Sequence, residues 1–238
     1  MSPNPRNRRG TRRAKWYLLA AVMGMLVLAG IGVYILSHDN QPRTETEPVI
    51  LYVNQGNGAV NDSNFGRMLS FAAAHGFNTV FFQVYRQGIL LFGPGQLSVF
   101  VNESHGVGLR IFLALYITNS SQALPVSIYG LGEDGINLDM STLNLTSQQA
   151  LLVSLQTSYH GQTAITTTDM ASALRPDLLV LETYGTGLQQ YVRHGAIASV
   201  GVFATSNEQD YKSQFLYALQ NSDGVMVFDY AGLVKRGY

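Results

Sequence analysis

The stretch FAAAHGFNTVFFQVY, residues 71–85, contains the end of one candidate helix, a His-Gly pair and one candidate strand. A glycine directly after a helix favours the left-handed conformation that ends it, and a histidine in the last turn interacts favourably with the negative helix end. The run that follows is almost continuously apolar, as expected for a parallel strand that is covered on both faces. The stretch therefore predicts a helix-to-strand junction of an α/β protein.

The same junction recurs along the chain. Further His-Gly pairs occur at 105–106, 160–161 and 194–195, and with the junctions at Gly135 and Gly224 the glycines are 26 to 34 residues apart. That spacing is the length of one βα unit. Eight candidate strands follow, at 49–55, 78–85, 110–118, 135–141, 163–169, 178–184, 198–205 and 224–230. Helix-like patterns lie between them at 62–76, 96–106, 145–161, 186–195 and 207–222.

Eight strands that alternate with helices predict a (β/α)8 TIM-type barrel, and a doubly wound α/β sheet is the alternative. The barrel is expected to be compact or incomplete. About 190 residues are slightly fewer than this fold usually has. Residues 120–134 have little helical pattern, and no helix is expected after the last strand.

The formal net charge of zero is the sum of two opposite parts. Residues 1–15 contain six basic residues and no acidic residue, so the other nine basic and fifteen acidic residues leave 16–238 with a charge of −6. The 21 residues from Trp16 to Leu36 carry no charge. At about 1.5 Å per residue they reach about 31 Å, which matches the thickness of a bilayer.

These features predict a membrane protein with one N-terminal transmembrane helix. Residues 1–15 form a basic cytoplasmic tail, 16–36 a transmembrane signal anchor in contact with the lipid bilayer, 37–48 a linker and 49–238 an extracytoplasmic barrel domain, because basic residues stay on the cytoplasmic side. The expected location is the cell membrane, with the C-terminal domain extracellular. A cleaved signal peptide is the alternative, although its apolar core would be shorter.

Several classes of function are excluded or disfavoured by composition and motif. Without cysteine there is no disulfide framework and no thiolate metal site. Motifs typical of metal sites, phosphate-binding loops and serine hydrolases are missing, so no metal or cofactor is expected. The acidic external part disfavours nucleic-acid binding. Outside the cell, the sequons at Asn61, Asn102, Asn119 and Asn144 are candidates for glycosylation.

Polar residues cluster where the candidate strands end, and in such barrels the active site forms at those ends. Paired carboxylates serve as acid and as base or nucleophile in glycoside cleavage, and tyrosine rings offer flat faces to sugars. Acids at strand ends also cap the following helix or pair with arginines, which is the structural alternative for Asp139 and Asp169. The candidates are Asn54, Gln83, Tyr85, Arg86, Tyr116, Asp139, Glu182, Tyr184, Asp229 and Tyr230.

Three segments resemble glycosidase-type barrels. DGINLDMS, residues 134–141, resembles the D-G-x-D-x-D-x-E signature of chitinase-like glycoside hydrolases, and GVMVFDYAG, residues 224–232, is similar to the last strand of that family. GFNTVFFQVYRQGILLF, residues 76–92, resembles the second strand of wider glycosidase-like barrels. Asp134, Gly135 and Asp139 match the signature, Asn137 replaces its middle aspartate, and Ser141 replaces its glutamate.

The resemblance implies a carbohydrate or glycan ligand and a glycoside-hydrolase-like activity. The replaced glutamate is the proton donor of that family, and a serine hydroxyl cannot protonate a leaving group. Catalysis would then need Asp139, Glu182 and Asp229 in another pairing. Glu182 is the expected general acid, because a carboxyl beside a hydrophobic strand has a raised pKa, and Asp139 or Asp229 is the ionised partner.

The other candidates, Asn54, Gln83, Tyr85, Arg86, Tyr116, Tyr184 and Tyr230, are expected to bind the substrate. The alternative function is a catalytically inactive barrel that binds carbohydrate or acts as a scaffold.

Overall fold

The computed structural model of the chain describes residues 47–56, 60–168, 174–182 and 184–238. They belong to one compact unit that runs from Glu47 to Tyr238. The predicted tail at 1–15, the predicted membrane span at 16–36, most of the linker and Asp169 lie outside the described residues. Within the described ranges, no helix combines the length and the apolar character needed to cross a bilayer.

Strands and helices alternate through this unit. The strands of the described residues are β1 (Val49–Val53), β2 (Thr79–Arg86), β3 (Ile89–Leu90), β4 (Arg110–Tyr116), β5 (Gly135–Asp139), β6 (Gln162–Thr167), β7 (Leu178–Glu182), β8 (Ile197–Gly201) and β9 (Val225–Phe228). The helices are α1 (Phe65–Ala74), α2 (Pro94–Gly106), α3 (Leu145–Ser158), α4 (Leu188–Tyr191), α5 (Glu208–Asn221) and α6 (Tyr230–Arg236). Short 3₁₀ turns lie at Val126–Ile128, Gly185–Gly187 and Val202–Ala204.

The sheet closes into a barrel of eight parallel strands. Its order is β1-β9-β8-β7-β6-β5-β4-β2, and β1 also pairs with β2 in parallel. Strand β3 only extends β2 as an antiparallel hairpin. Closure confirms the predicted TIM-type barrel and excludes the doubly wound sheet, whose edge strands would remain unpaired. Each of the eight candidate strands is present, with ends that shift by a few residues.

The expectation of a barrel without a final helix is wrong. Helix α6 follows β9 and has seven residues. Its first turn is capped by Asp229, its last turn carries Lys235 and Arg236, and Gly237 ends it in the left-handed conformation with φ 80°. Seven residues are too few for a helical period to stand out in the sequence, whereas these end signals act locally.

Two apolar layers stabilise the barrel, one on each face of the sheet. The strands therefore bury successive residues, and all five residues of β1 are buried. Each large apolar side chain buried in this way contributes about 1.5–3 kcal/mol. The layer inside the barrel consists of Ile50, Tyr52, Phe81, Phe112, Ala114, Ala164, Val180, Ile197 and Met226, and the larger layer lies between the strands and the helices.

A repeated hydrogen bond ties the strands together at their N-terminal ends. In four places a residue just before one strand accepts a backbone N–H at, or two residues before, the start of the preceding strand. The pairs are Asn78 with Val49 at 2.9 Å, Asp134 with Ile111 at 2.7 Å, Asp177 with Thr163 at 2.7 Å and Asp223 with Gly195 at 2.8 Å. Three of the acidic residues that contribute to the negative charge of this domain therefore have a structural role.

The histidines of two His-Gly pairs lie at this same end, opposite the strand ends where the site was expected. His105 Nε2 is 2.9 Å from Asp134 Oδ2, and His194 Nδ1 is 3.2 Å from Asp223 Oδ1. Gly76 takes the predicted left-handed conformation after α1, with φ 77°. Helix α2 instead includes Gly106 as its last residue, and Gly108 takes the left-handed conformation.

Candidate active site

A cavity of about 240 Å³ opens at the C-terminal mouth of the barrel. Its walls come from the ends of seven barrel strands or from the residues that follow them, which is where barrels of this type carry their active sites. The lining residues are Tyr52, Asn54, Gln83, Arg86, Tyr116, Asp139, Ser141, Glu182, Tyr184, Phe203 and Phe228.

Asp139 is the most deeply buried acid of the cavity. It is the last residue of β5, and only 4% of it is exposed. Tyr52, which projects into the barrel from β1, donates a hydrogen bond from its hydroxyl to Asp139 Oδ2 at 2.7 Å. Burial, followed by the charge of Glu182, raises the pKa of Asp139 to about 7. The hydrogen bond from Tyr52 opposes this shift because it favours the ionised carboxylate.

Glu182 lies at the end of β7 and is only partly buried. The Tyr184 hydroxyl donates to Glu182 Oε1 at 3.0 Å. Burial raises the pKa of Glu182, while hydrogen bonds with Tyr184 and Ser141 oppose the shift. The cavity thus holds two carboxyls whose pKa values are both raised, and the charge of Glu182 is one cause of the shift at Asp139. Such a pair can supply the acid and the base of a proton-transfer reaction.

The residues that depart from the chitinase-like signature have distinct environments. Ser141 lines the cavity in place of the glutamate, and its hydroxyl donates to Asp139 Oδ1 at 3.5 Å, a long contact. Asn137 is fully buried inside the barrel, where its Oδ1 accepts a hydrogen bond from the Thr166 hydroxyl at 3.0 Å. Asp134 lies at the opposite end of β5, in the hydrogen-bond pattern that ties the strands.

One wall of the cavity is aromatic. The ring centres of Tyr52 and Phe228 are 5.0 Å apart, and those of Tyr184 and Phe203 are 4.9 Å apart. Phe203 follows β8 and is 64% exposed. An exposed ring at the rim of a polar cavity is a suitable surface for the apolar face of a sugar.

The other wall is polar. Gln83 Oε1 accepts a hydrogen bond from the backbone N–H of Gln55 at 2.9 Å, which fixes the start of the loop after β1. Asn54 Oδ1 accepts from the backbone N–H of Gly56 at 2.7 Å. The guanidinium of Arg86 lies 6.0 Å from the centre of the Tyr116 ring. Amide and guanidinium groups on this wall are able to hydrogen-bond to sugar hydroxyls or carboxylates.

The cavity brings together seven of the ten residues selected from the sequence, which are Asn54, Gln83, Arg86, Tyr116, Asp139, Glu182 and Tyr184. Tyr85, Asp229 and Tyr230 lie elsewhere. The pairing of β2 with β4 shifts register between Gln83 and Tyr85, so the strand alternation breaks there and Arg86 instead of Tyr85 lines the cavity. Tyr85 is buried, and its hydroxyl donates to the Ala123 carbonyl at 2.9 Å.

Asp229 and Tyr230 both belong to the start of α6. Asp229 Oδ1 accepts the backbone N–H of Gly232 at 3.0 Å, which is the bond of a helix cap. Tyr230 is buried, and its ring meets that of Phe71 edge-on at 5.3 Å. Within the described residues, the acids that line the cavity are thus Asp139 and Glu182.

The selection from the sequence omitted three aromatic residues of the cavity, namely Tyr52, Phe203 and Phe228. Tyr52 and Phe228 lie inside apolar strands and resemble core residues in the sequence. Period-two alternation places Tyr52 on the same face as the inward-facing Ile50, which is the signal that identifies it. Among the described residues, no group of three or more His, Asp or Glu side chains is arranged to hold a metal ion.

Comparisons with known proteins support the fold. No family model and no curated protein matches this sequence. A β-mannanase from Streptomyces thermolilacinus, solved with mannohexaose, has a TM-score of 0.51 and 13% identity, covering 78% of each chain. A GH18 chitinase from Flavobacterium johnsoniae has a TM-score of 0.51 and 13% identity, covering 79% of this chain and 89% of that chain.

A third similar structure is a xylanase-A-amylase inhibitor protein, with a TM-score of 0.53 and 10% identity, covering 79% of this chain and 95% of that chain. At such identities the likeness concerns the fold. In fold, the domain is a TIM-type barrel similar to these structures.

Proposed function

We propose that the barrel domain binds a glycan and hydrolyses a glycosidic bond by carboxylate acid/base chemistry. The observation that carries the proposal is the pair Asp139 and Glu182. Both carboxyls face one cavity at the C-terminal mouth, both have raised pKa values, and each accepts a hydrogen bond from a tyrosine hydroxyl.

The strand arrangement supports this pairing. Asp139 and Glu182 end β5 and β7, which are separated by β6 alone. At about 4.8 Å between neighbouring strands, their Cα atoms are about 10 Å apart, and side chains that point into a barrel converge. Glycoside hydrolases place their two carboxyls about 5 to 9.5 Å apart, depending on stereochemistry. The arrangement is compatible with that range.

We assign the roles from the environment of each carboxyl. Asp139 is the more deeply buried, so it holds the proton near neutral pH and acts as general acid. Glu182 is more accessible and is hydrogen-bonded by Tyr184, so it is the ionised partner. This reverses the assignment expected from the sequence, where Glu182 was the acid, because burial at the end of β5 is not visible in a single strand.

The dependence of the hydrolysis rate on the leaving group tests the roles of Asp139 and Glu182. A dinitrophenolate departs without protonation, whereas a methylphenolate needs an acid. D139N should therefore keep most of the wild-type rate on dinitrophenyl glycosides and lose at least about 100-fold on methylphenyl glycosides. E182Q should lose at least about 100-fold on both. The panel contains α and β glycosides of the common hexoses and hexuronic acids.

The exposed carboxyl Glu103 on α2 provides the control, since E103Q removes an acid far from the mouth. Wild-type rates in both D139N and E182Q would contradict the assignment of this pair. A barrel that binds sugars from the panel but hydrolyses none of their glycosides would fit the alternative function, a catalytically inactive carbohydrate-binding or scaffold barrel.

That alternative is supported by one observation. Ser141 stands at the position of the signature glutamate and offers a hydroxyl where a carboxyl would protonate the leaving group. An inhibitor protein is also among the similar folds. Replacing this residue distinguishes the two functions: S141E should create or raise hydrolysis in an inactive barrel, and should disturb an Asp139 and Glu182 pair that is already active.

We also propose that residues 16–36 anchor the barrel domain at the outer surface of the cell membrane. The uncharged length of this segment and the six basic residues before it support that topology. In this arrangement Asn61, Asn102, Asn119 and Asn144, which are exposed, would be available for glycosylation.

The lack of native cysteine makes the topology simple to test. S2C places one thiol in the basic tail, and V153C places one on α3, where Val153 is 55% exposed. In intact cells, a membrane-impermeant maleimide should label V153C alone, and permeabilised cells should label both. Labelling of S2C in intact cells would refute the proposed orientation.

A further inference from the structure

Arg86 is a cation in the cavity that forms no ion pair with any residue that the structure describes. It is the last residue of β2, partly buried, and it lines the same cavity as Asp139 and Glu182. Among the described residues, the ion pairs within 4.0 Å involve other side chains, so no described carboxylate neutralises its guanidinium. A cation that is partly removed from water but not neutralised is a site for an anion.

The position of the guanidinium is set by its neighbours. It lies over the Tyr116 ring, with Cζ 6.0 Å from the ring centre. It also packs against Gly56, where an added Cβ would lie 2.5 Å from Arg86 Nη1 and 3.0 Å from Asn54 Oδ1. Gly56 thus leaves the space that this guanidinium occupies. A cation held by packing and by a ring, rather than by a carboxylate, keeps its N–H donors available for a ligand.

We propose that the cavity accepts an acidic sugar, a hexuronic acid, and that Arg86 binds its carboxylate. This inference rests on the proposed carbohydrate function of the same cavity. A planar guanidinium pairs with a planar carboxylate through two parallel hydrogen bonds, which gives both affinity and orientation. A cavity of about 240 Å³ is small for a ligand site and suits one sugar ring rather than a chain.

The barrel order places the anion opposite Glu182. Going round the barrel, β2 and β7 are four strands apart in a ring of eight, so Arg86 and Glu182 stand on opposite sides of the mouth. A sugar bound between them would direct its carboxylate to the polar wall. Repulsion by the two acids is limited because burial raises both pKa values, so the pair retains a proton near neutral pH.

The test compares affinities for paired ligands. The full chain is purified in a detergent without a sugar headgroup, since a glycosidic detergent would compete for the cavity. Binding is measured by saturation-transfer NMR and calorimetry with the α and β methyl glycosides of glucose, galactose and mannose and with the corresponding uronides. At least one uronide should bind about tenfold or more tighter than its neutral partner, as expected for a charge-assisted bidentate contact.

Three variants assign the preference to Arg86. R86Q should abolish the preference for the uronide, so that uronide affinity falls about tenfold more than the affinity for the neutral partner. R86K keeps the charge but loses the paired N–H donors of the guanidinium, so it should retain part of the preference. G56A should reduce the preference by displacing the guanidinium. R67Q removes an exposed arginine from α1 and should change neither affinity. Circular dichroism spectra that match the wild type exclude misfolding as the cause.

The outcomes separate this inference from the proposed function. Equal affinity for uronides and neutral glycosides would overturn the acidic-sugar inference and leave the carbohydrate function standing. A uronide preference that survives in R86Q would overturn the role of Arg86. If no glycoside of either kind binds, the proposed function itself fails.

Discussion

Replacing Asp139 by asparagine should stabilise the barrel at neutral and alkaline pH, although it removes a proposed catalytic group. Asp139 is 4% exposed, and its pKa is raised from 3.8 to about 7, first by burial and then by the charge of Glu182. An acid with a raised pKa binds its proton more tightly in the folded than in the unfolded chain. Its ionisation therefore destabilises the fold.

The sign and size of the effect follow from that shift. Below about pH 4, Asp139 is protonated in the folded and in the unfolded state, so its ionisation does not lower the free energy of unfolding. Between about pH 4 and pH 7 the folded state keeps the proton that the unfolded state has lost, and the free energy of unfolding falls by about 1.4 kcal/mol per pH unit. Above about pH 7 the total decrease in the free energy of unfolding is about 4 kcal/mol, and it stays constant there.

The asparagine of the D139N variant would be neutral at every pH and would still accept the hydrogen bond of Tyr52. Urea unfolding of the full chain, followed by far-ultraviolet circular dichroism, measures the difference. Tryptophan fluorescence is unsuitable, because the sole tryptophan, Trp16, lies outside the barrel domain. The unfolding free energy of D139N should exceed that of the wild type by about 4 kcal/mol at about pH 8 and by about 1–2 kcal/mol at about pH 5. E103Q, at an exposed position, should behave like the wild type.

The difference between D139N and the wild type has to grow with pH, since it reports the ionisation of one group. A D139N variant that is less stable than the wild type by the same amount at both pH values would refute the reasoning. It would mean that the hydrogen bonds of Asp139 matter more than the burial of its charge.

Three further predictions concern other parts of the molecule. Y184F removes the hydrogen bond to Glu182 Oε1, so the pKa of Glu182 should rise and the acidic limb of the pH-rate profile should move to higher pH. F203A should weaken sugar binding about fivefold while the unfolding free energy changes by less than about 0.5 kcal/mol, because this ring is 64% exposed at the rim. D177A should lower the unfolding free energy by about 1 kcal/mol without changing sugar affinity, since its hydrogen bonds to Thr163 lie at the opposite end of the barrel.

Local pattern predicted the alternation of strands and helices, and the pairing of β1 with β2 decided between the barrel and the doubly wound sheet. Strand runs such as 49–53 and 225–228 are apolar on both faces because each strand separates an inner from an outer apolar layer. Burial on both faces can therefore be predicted from the apolar composition of each strand. The short helix α6 was not predicted from the sequence, because few residues indicate it, mainly the cap Asp229 and the terminal Gly237. The order of the strands also followed, since each βα unit places the next strand beside the last.

The candidate site was predictable to the extent that strand ends meet at one mouth. Asp139, Glu182 and Tyr184 were found by that rule, and they do line one cavity. The rule does not say which way a side chain points at a strand end. Asp229 directly follows the cavity residue Phe228, and its carboxylate caps α6.

The sequence by itself determined the βα repeat, the uncharged segment at 16–36 and the polar character of the strand ends, because each depends on residues that are close along the chain. The tertiary structure decided the rest. A register shift in β2 brings Arg86 rather than Tyr85 to the cavity. Gly135 leaves room for the Phe112 ring, which would clash with an added Cβ. The pKa of Asp139 depends on burial and on Glu182, a residue of another strand. Such properties arise only when distant segments pack together, so no local pattern contains them.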